Sequence, residues 1–139
     1  MTAAESCTGG LISKIMTDFP GSSDIFWGSF ITYSNDSKMK LLGVEKSLLD
    51  TFGAVSEQTV LAMARGAINS SGADCSVSVS GIAGPGGGSL QKPVGTVWIC
   101  AVLKKGIQKT EVFHFCGDRI DVREKTAESA LRMLYLLIS

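Results

Sequence analysis

The sequence lacks the features that mark several large classes of protein. Its 13 basic and 13 acidic residues give a formal net charge of zero, so it offers no electrostatic footprint for nucleic acid or for an anionic membrane surface. No apolar run is long enough to cross a bilayer, and no signal-peptide pattern opens the chain. We therefore expect a cytoplasmic protein with no nucleic-acid partner and no membrane partner.

Histidine and paired cysteines are also scarce. The one histidine is His114, and the cysteines Cys7, Cys75, Cys100 and Cys116 contain no C-x-x-C pair. Zinc sites usually need closely spaced ligand pairs, so we expect no metal site and no cofactor. A single histidine also weakens the case for a Ser-His-Asp triad. The last three cysteines are typical of small apolar strand residues that stay reduced.

The length and composition of the chain indicate one globular domain. The chain has 139 residues, of which 45% are hydrophobic and 19% are charged. Periodicity and turn residues predict helices over 8–17, 37–42, 45–51, 56–71 and 119–139, and strands over 29–34, 75–80, 94–103 and 107–115, the last two antiparallel. This order predicts an α/β fold, a single-domain α/β/α sandwich with a mixed sheet and helices on both faces.

The first candidate site is the stretch Glu5-Ser6-Cys7-Thr8-Gly9-Gly10, just ahead of an amphipathic pattern. A helix N-terminus presents unpaired N–H groups, so Thr8, Gly9 and Gly10 are predicted to hold an anion or a developing oxyanion. Ser6 would need a base to become nucleophilic, and a lysine with a lowered pKa can serve. Two alternatives stay open: Ser6 only caps the helix, or Cys7 is the nucleophile.

The second candidate runs from Tyr33 to Lys38, after one predicted strand and into a helix. Ligands bind at the carboxyl edge of open α/β sheets, so Tyr33 and Lys38 could share a crevice with Ser6, with Ser34 and Asn35 as further contacts. A capped turn with a solvated lysine is the alternative, and the local sequence by itself favours it.

Two further stretches could bind an anion. The N–H groups of the glycine-rich loop 81–88 could cradle a phosphate or carboxylate, with Gly81, Gly84 and Gly86 as candidate contacts, although the loop matches no P-loop pattern. Arg119 and Arg123, at the start of the last predicted helix, could clamp a phosphate. A flexible connection and a surface arginine are the plain alternatives.

Taken in order, these stretches resemble the CinA C-terminal-domain family, the nicotinamide-nucleotide amidohydrolases. The resemblance covers essentially the whole chain. It rests on Thr-Ala-Ala-Glu-Ser-Cys-Thr-Gly-Gly at 2–10, Pro-Gly-Ser-Ser at 20–23, Thr-Tyr-Ser-Asn at 32–35 with Lys38, Leu-Gly-Val at 42–44, Gly-Ala-Val-Ser-Glu at 53–57, Ser-Gly-Ile-Ala-Gly-Pro at 80–85, Lys-Pro-Val-Gly-Thr-Val at 92–97 and Gly-Asp-Arg at 117–119.

The resemblance implies hydrolysis of the carboxamide of nicotinamide mononucleotide to nicotinic acid mononucleotide and ammonia, without a metal. It implies Ser6 as the nucleophile, Lys38 as the base, Tyr33 as an assisting hydroxyl, and a homodimer. A nucleotide-binding or regulatory module without turnover is the alternative, and a purely structural dimerisation domain is a third interpretation.

The family usually has a helix and a strand ahead of the Glu-Ser-Cys-Thr-Gly-Gly motif. Only residues 1–4 precede Glu5 here, and a strand needs about five residues. We therefore expect that helix and strand to be missing from the domain formed by residues 1–139.

Overall fold

A computed structural model describes all 139 residues as five strands, five α-helices and one short 3₁₀ helix. In chain order they are β1 (Thr2–Glu5), α1 (Leu11–Thr17), the 3₁₀ helix (Ser22–Asp24), β2 (Gly28–Ile31), α2 (Asn35–Leu42), α3 (Lys46–Phe52), α4 (Glu57–Ser71), β3 (Cys75–Gly81), β4 (Thr96–Leu103), β5 (Gln108–His114) and α5 (Arg119–Ile138). The predicted α/β class is confirmed. No helix is both long enough and apolar enough to span a membrane.

The five strands form one mixed sheet in the order β2-β1-β3-β4-β5. Strand β1 lies parallel to β2 and β3, whereas β4 is antiparallel to β3 and to β5. The predicted antiparallel pairing of the last two strands is therefore confirmed. The carboxyl ends of β1, β2 and β3 meet at one edge of the sheet, the edge at which open α/β folds bind ligands.

The expectation that the strand ahead of Ser6 is missing is wrong. Thr2–Glu5 forms β1, which pairs with β2 on one side and with β3 on the other. Its four residues suffice because both edges are hydrogen-bonded and all four side chains are buried. The small side chains of Ala3 and Ala4 let helices approach both faces of the sheet.

Helices cover both faces of the sheet, as predicted. Helices α1 and α5 pack on the face that carries Ala3, Val77 and Ile99, and helices α2, α3 and α4 cover the opposite face. Strand β3 is buried on both faces, so its serines do not face solvent. The Ser76 and Ser78 hydroxyls instead donate to carbonyl oxygens of α4, at 2.8 and 2.5 Å.

The first helix begins three residues later than predicted. Gly9 and Gly10 have φ values of +59° and +102°, which belong to the left-handed region that favours glycine. Residues 7–10 therefore form a turn between Ser6, which directly follows β1, and the start of α1.

Candidate active site

A cleft of about 280 Å³ opens at the carboxyl edge of the parallel strands. Ser6 follows β1, Gly81 ends β3, and Lys38 comes from α2, so three separate elements converge on it. The lining residues are Ser6, Cys7, Tyr33, Lys38, Ala54, Val55, Ser80, Gly81, Ala83 and Arg119.

Lys38 and Ser6 are in direct contact in this cleft. The Lys38 Nζ lies 2.9 Å from the Ser6 Oγ and 2.7 Å from the carbonyl oxygen of Thr32, to which it donates. The Lys38 side chain is only 1% exposed, because α2 places it against the sheet. The carbonyl contact orients the amine, and Ser6 is the side-chain group within its reach.

Burial changes the protonation of this amine. Removal from water lowers the pKa of Lys38 from 10.5 to about 8, since the charged form loses its solvation. A neutral amine therefore becomes accessible near neutral pH, and a neutral amine can accept a proton. Hydrogen-bond contact between a hydroxyl and an available base is the arrangement of an activated serine nucleophile.

Cys7, the alternative nucleophile, is in a poor environment for that role. Its side chain is 5% exposed, and burial raises the pKa of the thiol to about 11. The thiol is therefore protonated at neutral pH, and the Lys38 amine contacts Ser6. The geometry favours Ser6 over Cys7.

Tyr33 and Arg119 lie together at the mouth of the cleft. The Arg119 Nη2 donates to the Tyr33 phenol oxygen at 3.1 Å, and Nη1 donates to the Gly84 carbonyl at 2.7 Å. The Tyr33 side chain is 63% exposed and makes no hydrogen bond to Ser6 or Lys38. Arg123 does not line the cleft, because its Nη2 donates to the Thr8 carbonyl at 2.7 Å.

The turn predicted to bind an anion already holds one from the chain itself. The Glu5 carboxylate accepts hydrogen bonds from the Thr8 hydroxyl at 2.8 Å and from the Gly10 N–H at 3.0 Å, while the Gly9 N–H donates to the Ser6 carbonyl. These groups are therefore not directed at the cleft, contrary to the expectation that Thr8, Gly9 and Gly10 meet the substrate. The sequence analysis gave Glu5 no role, and its position four residues before Gly9-Gly10 is the one local feature that could have suggested it.

Four other predicted contacts, Ser34, Asn35, Gly84 and Gly86, also lie outside the cleft lining. The Ser34 Oγ accepts from the Ser37 N–H at 3.1 Å and caps α2, whose first residue is the exposed Asn35. Gly86 is exposed in the glycine-rich loop. Of the glycines predicted in that region, Gly81 lines the cleft and Gly84 holds Arg119 through its carbonyl.

Sequence reasoning missed four residues that line the cleft. Ser80 precedes Gly81 in β3, Ala83 lies just after the strand, and Ala54 and Val55 come from the turn between α3 and α4. All four fall within the motifs at 53–57 and 80–85. Three of the four have apolar side chains, which gave no chemical signal in the sequence.

Comparison with known proteins places this arrangement in a family. A family model described as the CinA C-terminal domain matches residues 1–138. The nicotinamide-nucleotide amidohydrolase PncC of Escherichia coli (strain K12) is 48% identical over 135 residues, which cover 97% of this chain and 82% of that protein. The protein of the same name from Enterobacter agglomerans is 54% identical over 132 residues, covering 95% and 80%.

Other relatives are longer than this chain. A putative competence-damage inducible protein of Caldicellulosiruptor bescii is 51% identical over 134 residues, which cover 96% of this chain and 32% of that protein. The chain thus spans about a third of that relative and about four fifths of the two PncC proteins.

Solved structures agree with the sequence matches. The crystal structure of the competence/damage inducible protein CihA from Agrobacterium tumefaciens superposes with a TM-score of 0.97 at 45% identity, covering 99% of this chain and 84% of that one. A CinA superfamily protein from Escherichia coli superposes with a TM-score of 0.93 at 37% identity, covering 99% and 79%. The chain belongs to the CinA C-terminal domain family.

Proposed function

We propose that this chain is an amidohydrolase that converts the carboxamide of nicotinamide mononucleotide to nicotinic acid mononucleotide and ammonia. The observation that carries the proposal is the 2.9 Å contact between the buried Lys38 amine and the Ser6 hydroxyl in the cleft. Two relatives that are 48% and 54% identical are nicotinamide-nucleotide amidohydrolases by name, which supports the reaction and the class of substrate.

The proposed reaction begins with proton transfer. Neutral Lys38 accepts the Ser6 hydroxyl proton as the Ser6 Oγ bonds to the amide carbon, giving a tetrahedral intermediate. The Lys38 ammonium then returns the proton to the leaving nitrogen, so that ammonia departs and an ester of Ser6 remains. Water, deprotonated by Lys38, attacks this ester and releases the carboxylic acid and free Ser6.

The oxyanion of the tetrahedral intermediate needs hydrogen-bond donors near Ser6. The N–H groups of Gly9 and Gly10 already have acceptors, whereas those of Cys7 and Thr8 have none within the protein. We assign the Cys7 N–H group to the oxyanion, since Cys7 directly follows the nucleophile and lines the cleft. One such donor is typically worth about 3 kcal/mol of transition-state stabilisation.

Arg119 is the proposed phosphate contact. Its guanidinium bonds only to neutral oxygens, those of Gly84 and Tyr33, and no carboxylate lies within ion-pair distance. A substrate phosphate can therefore supply the missing negative charge at the cleft mouth. In this proposal Tyr33 contacts the bound nucleotide and assists proton transfer through its hydroxyl.

Incubation of the chain with nicotinamide mononucleotide tests the proposal. We expect ammonia and nicotinic acid mononucleotide in equal amounts, and no ammonia from nicotinic acid mononucleotide, which lacks the amide. Binding of the mononucleotide without release of ammonia would contradict the proposal and favour a nucleotide-binding module, the alternative that the longer relatives keep open. The homodimer and the cytoplasmic location stay predictions.

A further inference from the structure

The Glu5 carboxylate is the most heavily hydrogen-bonded side chain of the molecule, and the proposed reaction does not use it. Glu5 is fully buried. Its Oε2 accepts from Thr8 Oγ1 (2.8 Å), Gly10 N (3.0 Å) and Ile12 N (3.0 Å), and its Oε1 accepts from Ser13 N (2.9 Å), Ser13 Oγ (2.7 Å) and Ser29 Oγ (3.0 Å).

The six donors come from three parts of the chain. They belong to the turn after Ser6, to the first residues of α1, and to Ser29 on β2. A buried carboxylate gains strong charge-assisted bonds from such donors, and the start of α1 adds the favourable end of a helix dipole. Glu5 therefore joins β1, α1 and β2 at one point.

That point is close along the chain to both halves of the reacting pair. Glu5 is the last residue of β1 and immediately precedes Ser6, whose own N–H donates to the Val79 carbonyl at 3.2 Å. Ser29 is three positions before Thr32, whose carbonyl holds the Lys38 amine. The carboxylate thus connects the segment that carries the nucleophile to the strand that leads to the support of the base.

Glu5 itself does not reach the cleft. Neither Glu5 nor any of its six donor groups belongs to a residue that lines it. We propose that Glu5 is a positioning residue, which sets the 2.9 Å separation between Ser6 and Lys38 without touching the substrate. This inference rests on the proposed role of Ser6 as the nucleophile.

Replacement of the carboxylate is the first test. Glu5→Gln keeps the shape but turns an amide NH₂ towards groups that are all donors. A displacement on the order of 1 Å can cost about 100-fold in rate, so we expect kcat for nicotinamide mononucleotide to fall about 100-fold while KM changes less than about threefold. Labelling of Ser6 by a serine-directed fluorophosphonate, with Ser6→Ala as the blank, should slow by a similar factor in the folded fraction.

A milder pair of variants separates positioning from stability if Glu5→Gln fails to fold. Ser29→Ala and Ser76→Ala each remove one hydroxyl hydrogen bond from an inward-facing serine, but only Ser29 contacts Glu5. Each should lower the melting temperature by roughly 3–5 °C. We expect Ser29→Ala to lower kcat and the labelling rate about tenfold and Ser76→Ala to leave both unchanged.

The outcomes distinguish this inference from the proposed function. Wild-type kcat and labelling in a folded Glu5→Gln variant, or equal effects of Ser29→Ala and Ser76→Ala, would overturn the role of Glu5 while the function stands. A wild-type chain that is labelled but releases no ammonia contradicts the proposed substrate, and the labelling rates then decide the role of Glu5. A wild-type chain that is neither labelled at Ser6 nor releases ammonia would overturn both the proposed function and the role of Glu5.

Discussion

At the scale of single residues, the burial of Lys38 lowers the stability of the fold but favours the proposed chemistry. Lys38 is 1% exposed, and its ammonium group has two oxygen partners, the Ser6 hydroxyl and the Thr32 carbonyl. The drop of its pKa from 10.5 to about 8 corresponds to a cost of about 3 kcal/mol at neutral pH, at about 1.4 kcal/mol per pKa unit. The fold bears this cost at the one lysine that contacts the proposed nucleophile.

Lys38→Met should therefore abolish ammonia release and raise the free energy of unfolding at pH 7 by about 1–3 kcal/mol, the range allowing for the lost contact to Thr32. Because the folded pKa of Lys38 lies below its unfolded value, the wild type gains stability as pH rises from about 8 to 10.5. The advantage of the variant should shrink across that window. Urea titrations at pH 7 and pH 10 measure it.

Lys105→Met is the matched control, since Lys105 is exposed in the turn between β4 and β5. Lys105→Met should change neither the rate of ammonia release nor the difference between the free energies of unfolding at pH 7 and pH 10. Equal stability of Lys38→Met and the wild type at pH 7 would contradict the assigned cost of burial.

The pH dependence of the reaction follows from the same group. Only neutral Lys38 can accept the Ser6 proton, so kcat/KM should rise about tenfold per pH unit below pH 8 and level off above it, with an apparent pKa of about 8. Initial rates with nicotinamide mononucleotide from pH 6 to 10 give the profile. A flat profile, or one that falls above pH 7, would show that Lys38 is not the base.

The sequence predicted these residues unevenly. The sheet-edge argument could bring Ser6 and Lys38 to one crevice, but only the family resemblance selected them as nucleophile and base, because they lie 32 positions apart and each has a plain local explanation. Thr8 and Gly10 were assigned to the substrate because unpaired N–H groups suggest an anion. The anion is Glu5, and only the three-dimensional path of the turn brings its carboxylate back onto α1.

At the scale of elements, the contact between α2 and α4 determines where Lys38 lies. Gly66 of α4 packs against the carbonyl of Leu42, the last residue of α2, and a methyl group at position 66 would overlap that oxygen. Lys38 is one turn earlier on the same helix. The position of the base therefore depends on a residue with no side chain.

Gly66→Ala should lower the free energy of unfolding by at least about 2 kcal/mol, although alanine is the better helix former. It should also lower kcat, because a displaced α2 carries Lys38 away from Ser6. Gly86→Ala is the stability control, since a methyl group there meets nothing within 4 Å and should change stability by less than about 0.5 kcal/mol. Thermal unfolding of both variants measures these changes. A Gly66→Ala variant as stable as the wild type would contradict the close packing of α4 against α2.

At the scale of the whole molecule, the sequence predicted the α/β class and the helices on both faces of the sheet, but not the order of the strands. Periodicity and turn residues located all five helices and four of the five strands. It missed β1, whose four short residues carry little pattern, although β1 lies between β2 and β3 in the sheet. Strand order depends on long-range pairing, which local pattern does not encode.

The fold brings the end of β1 close to α2, so that the Ser6 hydroxyl contacts the Lys38 amine. The most direct test compares ammonia release from nicotinamide mononucleotide by the wild type, Ser6→Ala and Cys7→Ala. We predict that Ser6→Ala lowers kcat at least about 1,000-fold, whereas Cys7→Ala, which keeps the backbone N–H, stays within about tenfold of the wild type. Full activity of Ser6→Ala together with loss of activity in Cys7→Ala would contradict the account.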